Sequence, residues 1–369
     1  MNDVAWISTR KGLLTVRREA RGWRVVDIAF RADPVSAVLP ARNGGPMLAA
    51  LNLGHFGAKL HRSDDEGRSW RELPAPAFPP QPAEHADGAG PDSPDGPVGP
   101  DWKLGMIWTL EADAASERIW AGTLPGGLFF SDDRGETWTL NRRLWDRPER
   151  RAWMGGGFDV PGIHSIMLRA DRPDDVMVGV SCGGVWASSD RGENWGLRTS
   201  GMRADFMPPE MAEDGNAQDP HRIVRSVSQP DVLWCQHHGG IWRSVDDGQR
   251  WESVVAPVSS FGFALAVHPH DPDTAWFVPA EKDERRIPVD GRMVVNRTRD
   301  GGRSFETSRD GLPQQDCFDL VHRHALAVDA SGDRLLVGST TGNLWASDDG
   351  GTRWELVSSH LPPIAAITF

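Results

Sequence analysis

The residues in this chain best suited to chemistry are histidines that recur in one context. His164 stands nine residues before Pro173, and His221 stands nine before Pro230. The segment HALAVD at His324 aligns with FALAVH at Phe263, which is itself nine residues before Pro272. An equivalent position therefore carries imidazole three times. A further pair, His237 and His238, follows in CQHHGG, and His55 and His322 lie in similar settings. Converging neutral imidazoles can bind a divalent transition metal ion such as zinc or manganese, with a coordination position left for water or substrate. Water on such an ion is a nucleophile or base near neutral pH. On this reading His164, His221, His237 and His324 are metal ligands. Two other readings stay open: rim side chains that satisfy buried backbone groups, and a metal-free site with His221 or His237 as general base.

Charged residues neighbour these positions. Arg222 adjoins His221, Glu281 and Lys282 fall in AEKDERR, and Arg10 and Lys11 follow the first strand-like segment. Guanidinium forks pair with carboxylates. The expectation is that Arg222 or Lys282 orients a small polar or anionic substrate, while Glu281 and His238 act as acid or base. Cys182 aligns with His238 and is either a thiolate ligand or a small buried hydrophobe.

The elements that position these residues are set by a repeat. Ser/Thr-x-Asp-x-Gly-x-x-aromatic occurs as SDDEGRSW from Ser63, SDDRGETW from Ser131 and SSDRGENW from Ser188. It returns as SVDDGQRW from Ser244, TRDGGRSF from Thr298 and SDDGGTRW from Ser347. The starts are 68, 57, 56, 54 and 49 residues apart, about one four-stranded unit each. The Asp can accept backbone N–H groups across a tight turn, the Gly can take a positive φ, and the aromatic ring can bury between neighbouring units. Asp65, Asp133, Asp190, Asp246, Asp300 and Asp349 are thus turn residues rather than catalysts.

These boxes are the signature of the Asp-box (bacterial neuraminidase) repeat, and nearly the whole chain resembles the sialidase-like propeller superfamily. The resemblance implies an all-β, seven-bladed β-propeller in one domain, residues 1–369. Six blades carry boxes. The seventh joins an innermost strand from the C-terminal PIAAITF to three N-terminal strands, VAWISTR, GLLTVRR and GWRVVDIAF. Boxes mark one face of such a ring. The other face collects the loops entering each first strand and leaving each second strand, including the long segments 74–100, 141–162, 199–220 and 280–291. The histidines belong to that face.

The superfamily's sialidases use a Tyr nucleophile, and this chain has no Tyr, which excludes that mechanism. Its xyloglucan hydrolases set two Asp residues between two propellers, whereas this chain makes one. Its photosystem assembly factors recognise a partner through a basic patch, and the net charge here is −12. CQHHGGIWRSVDDG resembles a bacterial exo-alpha-sialidase/glycosyl hydrolase-like subgroup. An acidic balance argues against nucleic acid, and no apolar stretch approaches transmembrane length. Three cysteines, Cys182, Cys235 and Cys317, give no disulfide framework and suggest a cytoplasmic setting. The function expected is a metal-dependent hydrolase or lyase acting at the channel mouth. The alternative is a non-catalytic scaffold that binds a protein or carbohydrate through its loops.

Overall fold

The computed structural model describes residues 3–42, 44–80, 102–155 and 158–369. Among them are seven four-stranded antiparallel sheets, arranged as the blades of a propeller. Blade 1 has Ile364–Thr368 innermost, followed outward by Val4–Thr9, Gly12–Glu19 and Gly22–Ala29. The innermost strands of blades 2 to 7 are Val35–Leu39, Met106–Ala112, Ile163–Leu168, Pro220–Arg225, Gly262–Val267 and Leu326–Val328. Each is followed outward by its second, third and fourth strands in chain order. The ring closes where Trp6 pairs with Thr368 and Ile7 with Ile367. An open edge that would template pairing with another chain is thereby removed.

The core lies between blades, because each sheet buries both faces against its neighbours. One cluster joins Trp276 of blade 6, Leu336 of blade 7 and Ile7 of blade 1. The box aromatics take part: Trp251 of blade 5 packs on Met177 of blade 4, and Trp195 of blade 4 on Trp120 of blade 3. Within a box the Asp works as expected. Asp65 Oδ1 accepts the Ser69 N–H at 2.8 Å and the Ser63 hydroxyl at 2.8 Å. Both Glu66 and Gly67 are left-handed, at φ 62° and 88°.

One irregularity recurs near the face opposite the boxes. In the innermost strands the ladder to the second strand slips by one residue, skipping Ser36, Trp108, His164, His221 and Phe263. In blade 1 the slip skips Ala365. A bulge leaves one residue unpaired and re-aims its side chain. His324, just before the innermost strand of blade 7, bridges to Ala366. For His164 and His221 the repeated context is therefore a repeated β-bulge.

The long connections on this face are built from short elements. Residues 141–162 contain the helix Arg142–Trp145 and the 3-10 turn Pro148–Ala152. Residues 199–220 contain Pro209–Met211 and Gly215–Ala217. Residues 280–291 carry a Lys282–Arg285 bridge and the turn Val289–Gly291. Of the segment 74–100, residues 81–100 lie outside the described residues.

Candidate metal centre

The three equivalent positions, His164 and His221 in bulges and His324 before its strand, put their side chains to different work. His324 reaches from blade 7 across the axis, its Nε2 donating to the His164 carbonyl of blade 4 at 2.8 Å. Beside it the buried Arg323 lies over Trp108 of blade 3, at 5.0 Å from the ring centroid, and over Phe263 of blade 6, at 5.5 Å. These two side chains span the channel mouth. His164 is fully buried, with Nδ1 2.9 Å from Ser165 Oγ. That hydroxyl also accepts the Ile223 N–H of blade 5 at 3.1 Å. Burial pushes the pKa of both His164 and His324 well below the ordinary value.

His237 turns away from the mouth. Its Nε2 faces the Asp219 N–H at 3.0 Å, and its Nδ1 faces the Gly239 N–H at 2.9 Å. A neutral ring can accept at only one of these nitrogens, protonation would remove that acceptor as well, and burial lowers the pKa to about 3. Three of the four histidines expected as ligands, His164, His237 and His324, are thus engaged with backbone or with a neighbouring hydroxyl. They do not converge with His221.

His221 instead meets Asp219 and His238. The three offer one donor atom each, all within 4.8 Å of one another. Asp219 Oδ2 is 3.5 Å from His221 Nε2 and 3.3 Å from His238 Nδ1. Each residue is fixed by a different part of the ring. Asp219 ends the 199–220 loop, and its Oδ1 accepts the Cys182 N–H of blade 4 at 3.2 Å. His221 is the blade 5 bulge, and its Nδ1 lies 2.7 Å from the Gly262 carbonyl of blade 6. His238 leaves the second strand of blade 5, with its ring 4.4 Å from that of Phe206.

The electrostatics fit a cation. Burial opposes ionisation of Asp219, yet His221, His238 and Arg323 around it hold the carboxyl well below the usual range. Burial lowers the His221 pKa against the pull of Asp219. A neutral ring whose Nδ1–H donates to a carbonyl has its lone pair on Nε2. In that form the His221 Nε2 lone pair would face the Asp219 carboxylate oxygen, an arrangement that a positive ion between them relieves. Two ligands of a tetrahedral ion with bonds of about 2.0–2.1 Å stand about 3.3–3.4 Å apart, close to both separations seen here. The Gly262 carbonyl is the kind of outer partner that fixes a ligating imidazole.

The remaining expected residues are elsewhere. Arg222 lies inside the channel within electrostatic reach of Glu111 of blade 3, and burial lowers its pKa to about 10. Glu281 pairs with Arg285 at 2.7 Å and Lys282 with Glu284 at 3.1 Å, both within their own loop. His55 is exposed in a turn beside Phe56, and Arg10 and Lys11 are exposed on the same rim. Cys182 is buried and its thiol is pushed up in pKa by burial. Asp219 was missed by sequence reasoning, although the Asp-Pro-His spacing of residues 219–221 carries the signal.

A family model for the BNR/Asp-box repeat matches residues 129–140. This is an Asp-box propeller. No curated protein matches the sequence. Among solved structures the propeller is similar to the GH74 xyloglucanase from Xanthomonas campestris, with TM-score 0.64 and 16% identity over 97% of this chain and 53% of that one. It is similar to an ancestral GH74 enzyme, with TM-score 0.58 and 14% identity over 95% and 39% of the two chains. It is also similar to YCF48 bound to a D1 peptide, with TM-score 0.55 and 13% identity over 94% and 90%. The chain spans about half the length of the xyloglucanase. At these identities the likeness is one of fold.

Proposed function

We propose that this Asp-box propeller is a metal-dependent hydrolase or lyase acting on a small anionic substrate at the mouth of its channel. A divalent transition ion, zinc or manganese, is held by Asp219, His221 and His238. The observation that carries this reading is the convergence of His221 Nε2 and His238 Nδ1 on one Asp219 oxygen, the three donor atoms lying within 4.8 Å of one another. Two imidazoles and a carboxylate leave coordination positions for water and substrate, and such an ion supplies an activated water and polarises an oxygen. The ligands are reached from the side of His238 and Phe206, since Asp219 and His221 are buried.

The test is metal content after loading with zinc and removal of excess. One equivalent is expected in the wild type and in His164→Ala. Loss is expected in Asp219→Ala and in His238→Ala. Substoichiometric zinc in the wild type, or retention in both ligand variants, would sink the proposal.

A second reading, a scaffold for a peptide or carbohydrate, is favoured by one feature. Phe56, Phe158, Phe206 and Phe318 are the exposed phenylalanines among the described residues, and all four lie on the loops of this face. A scaffold needs no bound ion to work, so equal affinity of zinc-loaded and zinc-free protein for a peptide or oligosaccharide would favour it.

A further inference from the structure

Below its mouth the channel carries a cation and an anion that do not meet. The residue after the bulge is small in five innermost strands, as Ala37, Thr109, Ser165, Ala264 and Ala366. In blade 5 the same position is Arg222. Two residues further along stand the uncharged Leu39, Met167, Val224, Ala266 and Thr368, but in blade 3 Glu111. A guanidinium thus lies one level nearer the mouth than a carboxylate two blades away, with small side chains around it.

Neither group is satisfied by its neighbours. Arg222 Nε is buried without a hydrogen-bond partner. Among the described residues, Glu111 is the one carboxylate that acts on this guanidinium, and it does so at a distance, with no hydrogen bond between them. Glu111 in turn feels Arg222 and Arg42, an exposed residue just after Val35–Leu39. Both Arg222 and Glu111 are enclosed by the ring and yet only half-buried, so they line internal space that small molecules can enter. Opposite charges attract strongly in a poorly screened interior, but these two are anchored on strands of different blades. A molecule carrying both complementary charges fits between them, since it leaves neither buried charge alone.

We infer that Arg222 and Glu111 bind a small zwitterion of the amino-acid class inside the channel, its carboxylate on the guanidinium and its ammonium on Glu111. Guanidinium forks match the two oxygens of a carboxylate. Entry is from the box face, because Glu111 lies at that end of Met106–Ala112 while Arg323 and His324 span the opposite mouth. The site is separate from the Asp219 cluster and does not rest on the metal reading. A lone inorganic anion would satisfy Arg222 and leave Glu111 unmet.

The experiment is calorimetric titration of glycine, β-alanine and 4-aminobutyrate into the full chain after treatment with a chelator, so that no amino acid binds by coordinating an ion. Saturable one-to-one binding of at least one of them is expected. Acetate, methylammonium and chloride carry one charge each and are expected to bind at least about tenfold more weakly. Glu111→Gln keeps the shape without the charge and is expected to weaken the best zwitterion about tenfold. Arg222→Met is expected to weaken it at least as much, and Glu111→Gln alone decides if that variant lacks a cooperative melt. His238→Ala, at the metal centre, is expected to leave the affinity within about twofold. No saturable binding of any of the three, acetate or chloride binding as tightly, or unchanged affinity in Glu111→Gln overturns the inference. A tenfold loss in His238→Ala would move the site to the mouth and overturn it as well.

Discussion

His221 holds two relationships at once, a carbonyl on one ring nitrogen and a carboxylate on the other. The first depends on Gly262, where an added Cβ would lie 2.6 Å from the Val278 carbonyl oxygen. Gly262→Ala must therefore shift the backbone that orients His221, and a loss of about 10–100-fold in zinc affinity is expected. Competition against a chromogenic chelator measures it, and unchanged affinity would show that the carbonyl does not set the ring. The buried histidines also set the response to acid. His237 and His322 have folded values of about 3 and about 4, below the unfolded value of about 6.5. As pH falls beneath 6.5 the unfolded chain takes up these protons and the native protein does not. Stability is thus present above that pH and is lost through the window down to each folded value, by about 1.4 kcal/mol per pH unit for each group. Urea midpoints are expected to drop steeply from pH 6.5 to 4, less steeply in His237→Gln. Parallel profiles for the two proteins would contradict the assignment.

At the scale of the turn and the strand, the box contains its own control. Its fourth position is left-handed in Glu66, Arg134, Arg191 and Asp247, and is already glycine in Gly301 and Gly350. Replacing Glu66 by Gly relieves a left-handed side chain but loosens the unfolded chain, so stability is expected to stay within about 1 kcal/mol of wild type. Gly67→Ala, at φ 88°, is expected to cost about 1–2 kcal/mol. Chemical denaturation distinguishes the two, and equal costs would mean that the turn relaxes. This asymmetry explains what was legible in the sequence. A box is a local object, its donors and acceptors lying within about five residues, so its pattern reads directly as a turn. The equivalence of these positions, though not the bulge itself, was legible for a related reason, since His164 and His221 sit at one offset from a proline. The ligand set was not. His237 and His238 are neighbours, and a strand sends successive side chains to opposite sides, so a one-residue difference decides which enters the mouth. What fixes Asp219 and His221 comes from Cys182 of blade 4 and Gly262 of blade 6, contacts that no spacing within blade 5 encodes.

For the whole molecule, the closing strand Ile364–Thr368 does the work of a clasp. Removing residues 364–369 would uncover the edge of Val4–Thr9 and the buried Ala5 and Ile7. Loss of a single cooperative melt, with self-association on size exclusion, is the expected result. A truncated protein that melts sharply as a monomer would show that the other six blades hold the ring unaided. Mixing the ends in one blade also ties the histidines of blade 7 to blade 1, because His324 bridges to Ala366 and the His324 carbonyl accepts the Ile367 N–H at 2.8 Å.

The bulge shared by the innermost strands gives the ring a set of interchangeable stations. A station's occupant changes with one codon, while the distance between two stations is fixed by the number of blades between them. Neighbouring stations bring rings into stacking contact, as His221 and Phe263 do at 4.4 Å. Stations three blades apart let a side chain reach the opposite backbone, as His324 does at 2.8 Å from the His164 carbonyl. New chemistry on this scaffold is therefore a matter of choosing which stations to fill and how many blades to leave between them, with the backbone left as it is.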